Sequence, residues 1–112
     1  MPECAVELEG GEGAEVRGRV SVGHGGRYDG VSISAQVTGS NSLVSFESCN
    51  GRPAGGAKSR LFVPSGEMRD GVAEFVARVE PPVGGPHEIR VRAAIIEQHK
   101  EVESDTVFAS RG

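Results

Sequence analysis

The richest run of potential ligands in this chain is Glu97-Gln98-His99-Lys100-Glu101-Val102-Glu103-Ser104-Asp105. Drawn out as a strand, it projects Glu97, His99, Glu101, Glu103 and Asp105 from one face, because side chains alternate with a period of two. Carboxylates beside an imidazole form a donor set for a divalent cation. The same residues also read as a polar hairpin turn between two strands, and a turn within the run destroys the common face.

Other residues offer less. The loop Gly23-His24-Gly25-Gly26-Arg27 presents backbone N–H groups that suit an anion. Phosphate-cradling loops lead into a helix N-terminus, however, and this one joins two strands, so a plain connector is expected. Acyl or glycosyl chemistry needs a nucleophile beside a positioned base, or paired acids in a pocket. His24, His87 and His99 all lie in or beside loops, and no GxSxG, HExxH or Cys–His signature occurs. The expectation is a protein without catalysis and without a cofactor. Cys4 and Cys49 lack a CxxC spacing and make a poor metal pair. A reducing compartment leaves them as thiols, and an oxidising one lets them bridge. Arg17 and Arg19 share the outward face of one strand, and Arg90 and Arg92 that of another. They either contact an acidic partner or pair with nearby glutamates at little energetic gain.

Strands must position all of these. Cys4, Val6 and Leu8 alternate with acids, and Gly10 to Gly13 break the pattern. Val16, Gly18, Val20 and Val22 alternate with Glu15, Arg17, Arg19 and Ser21, with Gly18 marking a bulge or a close backbone approach. Val31, Ile33, Ala35 and Val37 alternate with Ser32, Ser34, Gln36 and Thr38. Leu43 to Phe46 and Lys58 to Val63 come next, separated by a loop over 49–57 in which Asn50-Gly51 is a strong turn dipeptide. Residues 65–70 are polar, with room for one helical turn. Phe75, Ala77 and Val79 face inward from a strand over 72–79, and the proline-rich 81–86 cannot continue a ladder. Ile89, Val91, Ala93 and Ile95 face inward from a long strand over 88–98, and a strand over 102–109 closes the chain. Seven to eight short strands with turn signals between them predict an all-β, two-sheet antiparallel sandwich, one domain over 1–112.

The net charge of −4 sets the surface against phosphate backbones and anionic membranes. With no Trp, one Tyr and four Phe, no platform for stacking bases is expected either. Residues 1–9 have neither a basic n-region nor an apolar run, so they do not read as a signal peptide, and a cytoplasmic protein is expected.

Three segments carry a family resemblance. Gly13-Ala14-Glu15-Val16-Arg17-Gly18-Arg19-Val20-Ser21-Val22 resembles the opening of arrestin-like N-terminal domains, where a Gly-acid pair precedes a V-x-G-x-V-x-V strand. The run from Gly30 to Gly39 resembles the next strand of that fold. Glu88 to Ile95 is similar to its late Y-x-V-x-A strand, with Ile89 where an aromatic is usual. Macroglobulin-type and other immunoglobulin-like domains share this grammar, including a Gly-rich lead-in such as Pro82-Val83-Gly84-Gly85-Pro86. Antibody-type domains fit less well, because no Trp sits between the cysteines. The resemblance implies a non-catalytic adaptor or scaffold domain.

The functional expectation is therefore a cytoplasmic protein-interaction module that binds through sheet edges or loops. Its candidate edges are the strands from Glu88 and from Val102, and its partner is another protein or a second copy in a homodimer. Two alternatives remain: an extracytoplasmic immunoglobulin-like or macroglobulin-like structural domain with a Cys4–Cys49 bridge, and a divalent-metal domain built on Glu97, His99, Glu101, Glu103 and Asp105.

Overall fold

Alternating apolar and polar residues leave one dry face per strand, and two such faces must close on each other to exclude water. A computed structural model shows how they do so, and describes residues 4–9, 13–23 and 27–111. Its strands are β1 (Cys4–Leu8), β2 (Glu15–Val22), β3 (Gly30–Thr38), β4 (Leu43–Cys49), β5 (Arg52–Pro53), β6 (Arg60–Pro64), β7 (Val72–Glu80), β8 (His87–Glu97) and β9 (Lys100–Arg111). The only helical element among the described residues is a 3-10 turn at Ser65–Glu67.

Two antiparallel sheets result, a five-stranded one in the order β1-β2-β7-β4-β5 and a four-stranded one in the order β6-β3-β8-β9. The expected all-β sandwich stands, with one strand more than the expected maximum. The extra strand is β5, inside the segment read as a loop. Asn50 and Gly51 both take positive φ, 50° and 79°, and turn β4 back into β5 through a two-residue hairpin.

The inward faces are those read from the alternation. Val31, Ile33, Ala35, Ile89, Val91, Ala93 and Ile95 from one sheet meet Val16, Val20, Val44, Phe46, Ala73, Phe75, Ala77 and Val79 from the other, all but Phe75 fully buried and that ring 1% exposed. Phe46 and Phe75 meet edge to face at 5.8 Å. Gly18 makes a close approach: a Cβ there would lie 2.7 Å from the Phe75 ring and 2.8 Å from the Glu7 carbonyl oxygen.

Both long sides of the sandwich are fastened. On one side residues 57–59 bond to both sheets: Phe46 N–H donates to Ala57 O (2.8 Å), Ser59 N–H to Val44 O (2.8 Å), and Ala35 N–H to Ser59 O (2.9 Å). On the other, β1 packs along β9 and β8. The Val6 N–H, at the outer edge of β1, donates to Asp105 Oδ2 at 2.8 Å. The Cys4 thiol donates weakly to Ala93 O at 3.7 Å. Of the two candidate edge strands, β8 is internal, flanked by β3 and β9, and only β9 ends a sheet. Sequence gives no view of that, because β8 pairs with β3 across fifty residues or more.

Candidate functional site

The five candidate metal ligands do not converge. Glu97 pairs with Lys100, and Gln98 and His99, at φ 52° and 65°, form a two-residue turn between β8 and β9. A bulge comes next: Ile96 pairs with Glu101 and Ile95 with Glu103, so Val102 is an extra residue. An extra residue reverses the facing of the residues before it relative to those after it. Glu101 therefore lies on the outer face, while Glu103 and Asp105 stand opposite the inward-facing Ile95 and Ala93. Glu101 binds Arg92 through two hydrogen bonds, and Asp105 is held by β1. Turn and bulge together dissolve the single face that uniform alternation predicts. No group of three or more His, Cys, Asp or Glu able to hold a metal ion occurs among the described residues.

The other candidates separate as well. His24 and the rest of the 24–26 loop lie outside the described residues. His87 opens β8, with Nδ1 2.8 Å from Gly85 O, and His99 lies in the turn past its far end, about 33 Å away at the rise of an extended strand. Cys4 and Cys49 are free. They lie on β1 and β4, with β2 and β7 between and an offset of about four residues along the strands, about 20 Å apart at the usual spacings, where a disulfide needs Cα atoms within about 7 Å. The bridge expected of an oxidising compartment is corrected accordingly. Burial pushes the Cys4 thiol up to about 11, with Asp105 and Glu103 adding to it, and burial also raises the half-buried Cys49.

What the fold does assemble is the outer face of the four-stranded sheet. The registers place Phe62, Ser32, Ala94 and Ser104 in one row across β6, β3, β8 and β9. The next row is Arg60, Ser34, Arg92 and Thr106, and the one after it Gln36, Arg90 and Phe108. Above them lies the row of Pro64, Gly30, Ile96 and Glu101. Four large apolar side chains are exposed among the described residues, and three of them, Phe62 (48%), Val102 (42%) and Phe108 (59%), belong to this sheet. Gly30 is required under Phe62. A Cβ there would lie 2.3 Å from the Val63 carbonyl oxygen and 2.7 Å from the ring's Cζ.

Phe62 and Ile96 floor an open depression of about 720 Å³, rimmed by Asp29, Gln98 and His99. The rim is braced: Asp29 Oδ2 accepts from the His99 N–H (3.1 Å), and the Asp29 N–H donates to Ile96 O (2.7 Å). Beside it, the Arg92 guanidinium holds the Glu101 carboxyl below its ordinary range, and the Arg60 charge acts in the same direction. Arg90 reaches Gln36 Oε1 at 3.4 Å. Sequence reasoning picked out Arg90 and Arg92 but missed Arg60, Phe62 and Phe108. Their exposed aromatic rings at outward strand positions were the available signal.

The opposite outer face differs. Arg19 stands between Glu7 and Glu74, and Arg78 between Glu15 and Ser45. Arg17 binds Glu15 at 2.7 Å and Arg19 approaches Glu7 at 3.5 Å.

No protein-family model matches this chain, and no curated protein matches it. Its fold is similar to that of a conjugative transposon lipoprotein from Bacteroides eggerthii DSM 20697, with a TM-score of 0.54 and 10% identity over 98% of this chain and 97% of that one. The likeness is one of fold. What stands of the arrestin-like expectation is the all-β, two-sheet build. The cytoplasmic expectation is overturned, since the protein this chain resembles from end to end is a lipoprotein. That expectation leaned on the first nine residues alone.

Proposed function

We propose that this chain is an extracytoplasmic, non-catalytic β-sandwich domain with a structural role, which acts by holding a protein partner. The observation that carries the reading is the end-to-end similarity of its fold to a lipoprotein. Strand order supports an immunoglobulin-like build. With β5 and β6 set aside, strands 1-2-7-4 oppose 3-8-9, and relettered in chain order they become ABED against CFG, the constant-type arrangement. The thiols are compatible with an oxidising compartment, because a buried Cys4 and a half-buried Cys49, both raised, are poor nucleophiles. Fastened sides favour contact through a sheet face over strand addition at an edge.

Fractionation of the native host, with protease added to intact and to opened cells, tests the placement. The reading expects the protein in the envelope or outside the cell, cleaved without opening the cytoplasm. Recovery solely in the cytosol, protected until lysis, overturns it.

A further inference from the structure

We propose that the outer face of the four-stranded sheet receives an extended, acidic polypeptide segment with two apolar anchors about six residues apart. This rests on the reading of the domain as a protein-binding module and goes on to name the chemistry of the partner.

Four observations define the occupant. First, the face holds three guanidiniums, Arg60, Arg90 and Arg92, in adjoining rows, against two carboxylates, Glu88 and Glu101, a net positive surface within a chain of net charge −4. Among the described residues, Glu101 is the carboxylate seen to bond one of them, at Arg92. Arginine is enriched at protein interfaces because its fork matches carboxylates and its plane stacks. Second, exposed Phe62 and Phe108 stand on the two edge strands of the sheet, three strand spacings apart and four residues apart along β3, from Ser32 to Gln36. At about 4.8 Å per strand and 3.3 Å per residue, that diagonal is about 20 Å, or six residues of extended chain. Third, the line between them crosses Ser34 and Arg92, so a segment laid along it passes a small hydroxyl side chain on β3 and a guanidinium on β8. Fourth, the depression floored by Phe62 and Ile96 offers an apolar side chain a seat at one end of that line.

Pairing this face with its own copy sets three guanidiniums against three. A head-to-tail copy would instead present the five-stranded sheet, where Glu7, Glu9, Glu15, Glu47, Glu74 and Glu80 outnumber Arg17, Arg19 and Arg78, and the dimer arm of the experiment detects that occupant.

The probe is a fluorescein-labelled heptapeptide, Leu-Glu-Asp-Glu-Asp-Glu-Leu. Its comparisons are a version with every acid replaced by Lys, and versions with the leucines three or nine residues apart. Anisotropy is read with the intact chain at low and high salt. Saturable binding is expected for the acidic peptide with i,i+6 leucines, weakened by salt and absent for the Lys version. Phe62→Ser, Phe108→Ser, Arg60→Glu and Arg90→Glu each weaken it about tenfold, as loss of a strong interface contact does. These residues lie on the surface, and unchanged melting of each variant shows that the fold persists. Arg19→Ala, on the other face, leaves affinity unchanged. No saturable binding, indifference to leucine spacing, or equal loss with Arg19→Ala overturns the proposal. So does a concentration-dependent dimer abolished by Phe108→Ser, or binding to phosphatidylglycerol vesicles without peptide binding. The measurement uses purified protein, so its failure leaves the fractionation result standing, and the converse holds.

Discussion

The two outer faces of this sandwich use arginine in opposite ways. On the five-stranded sheet, Arg17 and Arg19 sit among Glu7, Glu15 and Glu74, and each arginine has a glutamate partner in a face where acids are in excess. On the four-stranded sheet, Arg60, Arg90 and Arg92 sit among serines, threonines, a glutamine and exposed aromatics, with Glu88 beyond Arg90 and Glu101 as the acid seen bonding Arg92. Exposed ion pairs of the first kind add little to stability and serve solubility. Guanidiniums beside apolar side chains are the ingredients of an interface core. Two faces of one small domain thus differ in composition, although both arise from the same polar half of an alternating pattern.

Beneath that contrast, both sheets turn an equally dry face inward. Phe46→Ala and Ile33→Ala, one from each sheet, should therefore cost about 3–5 and 2–5 kcal/mol in urea unfolding, while Ser34→Ala beside Ile33 stays within about 0.5 kcal/mol. Matching losses at Ile33 and Ser34 would break the assignment of faces. The fastening of the sheets comes next. Asp105→Ala removes the acceptor of the Val6 N–H and should cost about 1–3 kcal/mol, against a negligible change for Glu103→Ala. Charge reversal then addresses the outer faces directly. Arg19→Glu sets a third carboxylate between Glu7 and Glu74 and should cost up to about 1 kcal/mol, because like charges opposite one another repel. Arg90→Glu, between Gln36 and Phe108, should stay within about 0.5 kcal/mol. Equal costs for the two reversals would erase the difference between the faces. The last effect is nil at neutrality. Burial raises Cys4 from 9.0 to about 11, so the folded state holds that proton more tightly than the unfolded one. Its contribution is complete below pH 9 and is lost as pH rises through 11, since there the unfolded chain has already released the proton that folding retains. Melting temperatures from about pH 8 to about pH 11.5 should fall more for the wild type than for Cys4→Ala.

Much of the architecture was legible because burial enforces a period of two. Val31, Ile33 and Ala35, and Ile89, Val91, Ala93 and Ile95, face inward as their spacing requires. Turn chemistry was legible at Asn50-Gly51, although β5 was not, since Arg52 and Pro53 bear no apolar alternation. The candidate metal face failed for a local reason: the turn at Gln98-His99 and the extra Val102 each interrupt the alternation that had aligned five ligands. The arginine-aromatic face was hidden for a global one. Arg60 and Phe62 become neighbours of Ser34 and Ser32, and these of Arg92 and Ala94, only through pairings between distant segments. The bridge between Cys4 and Cys49 failed on strand order, which places two strands between them.

The carboxylate of Asp105 has a meaning beyond the bond it accepts. A bare strand margin is a template, and any chain with spare amides can lengthen the sheet from there. By turning a negative charge inward from the terminal strand and committing it to the neighbouring layer's margin, the molecule stops that growth with one side chain.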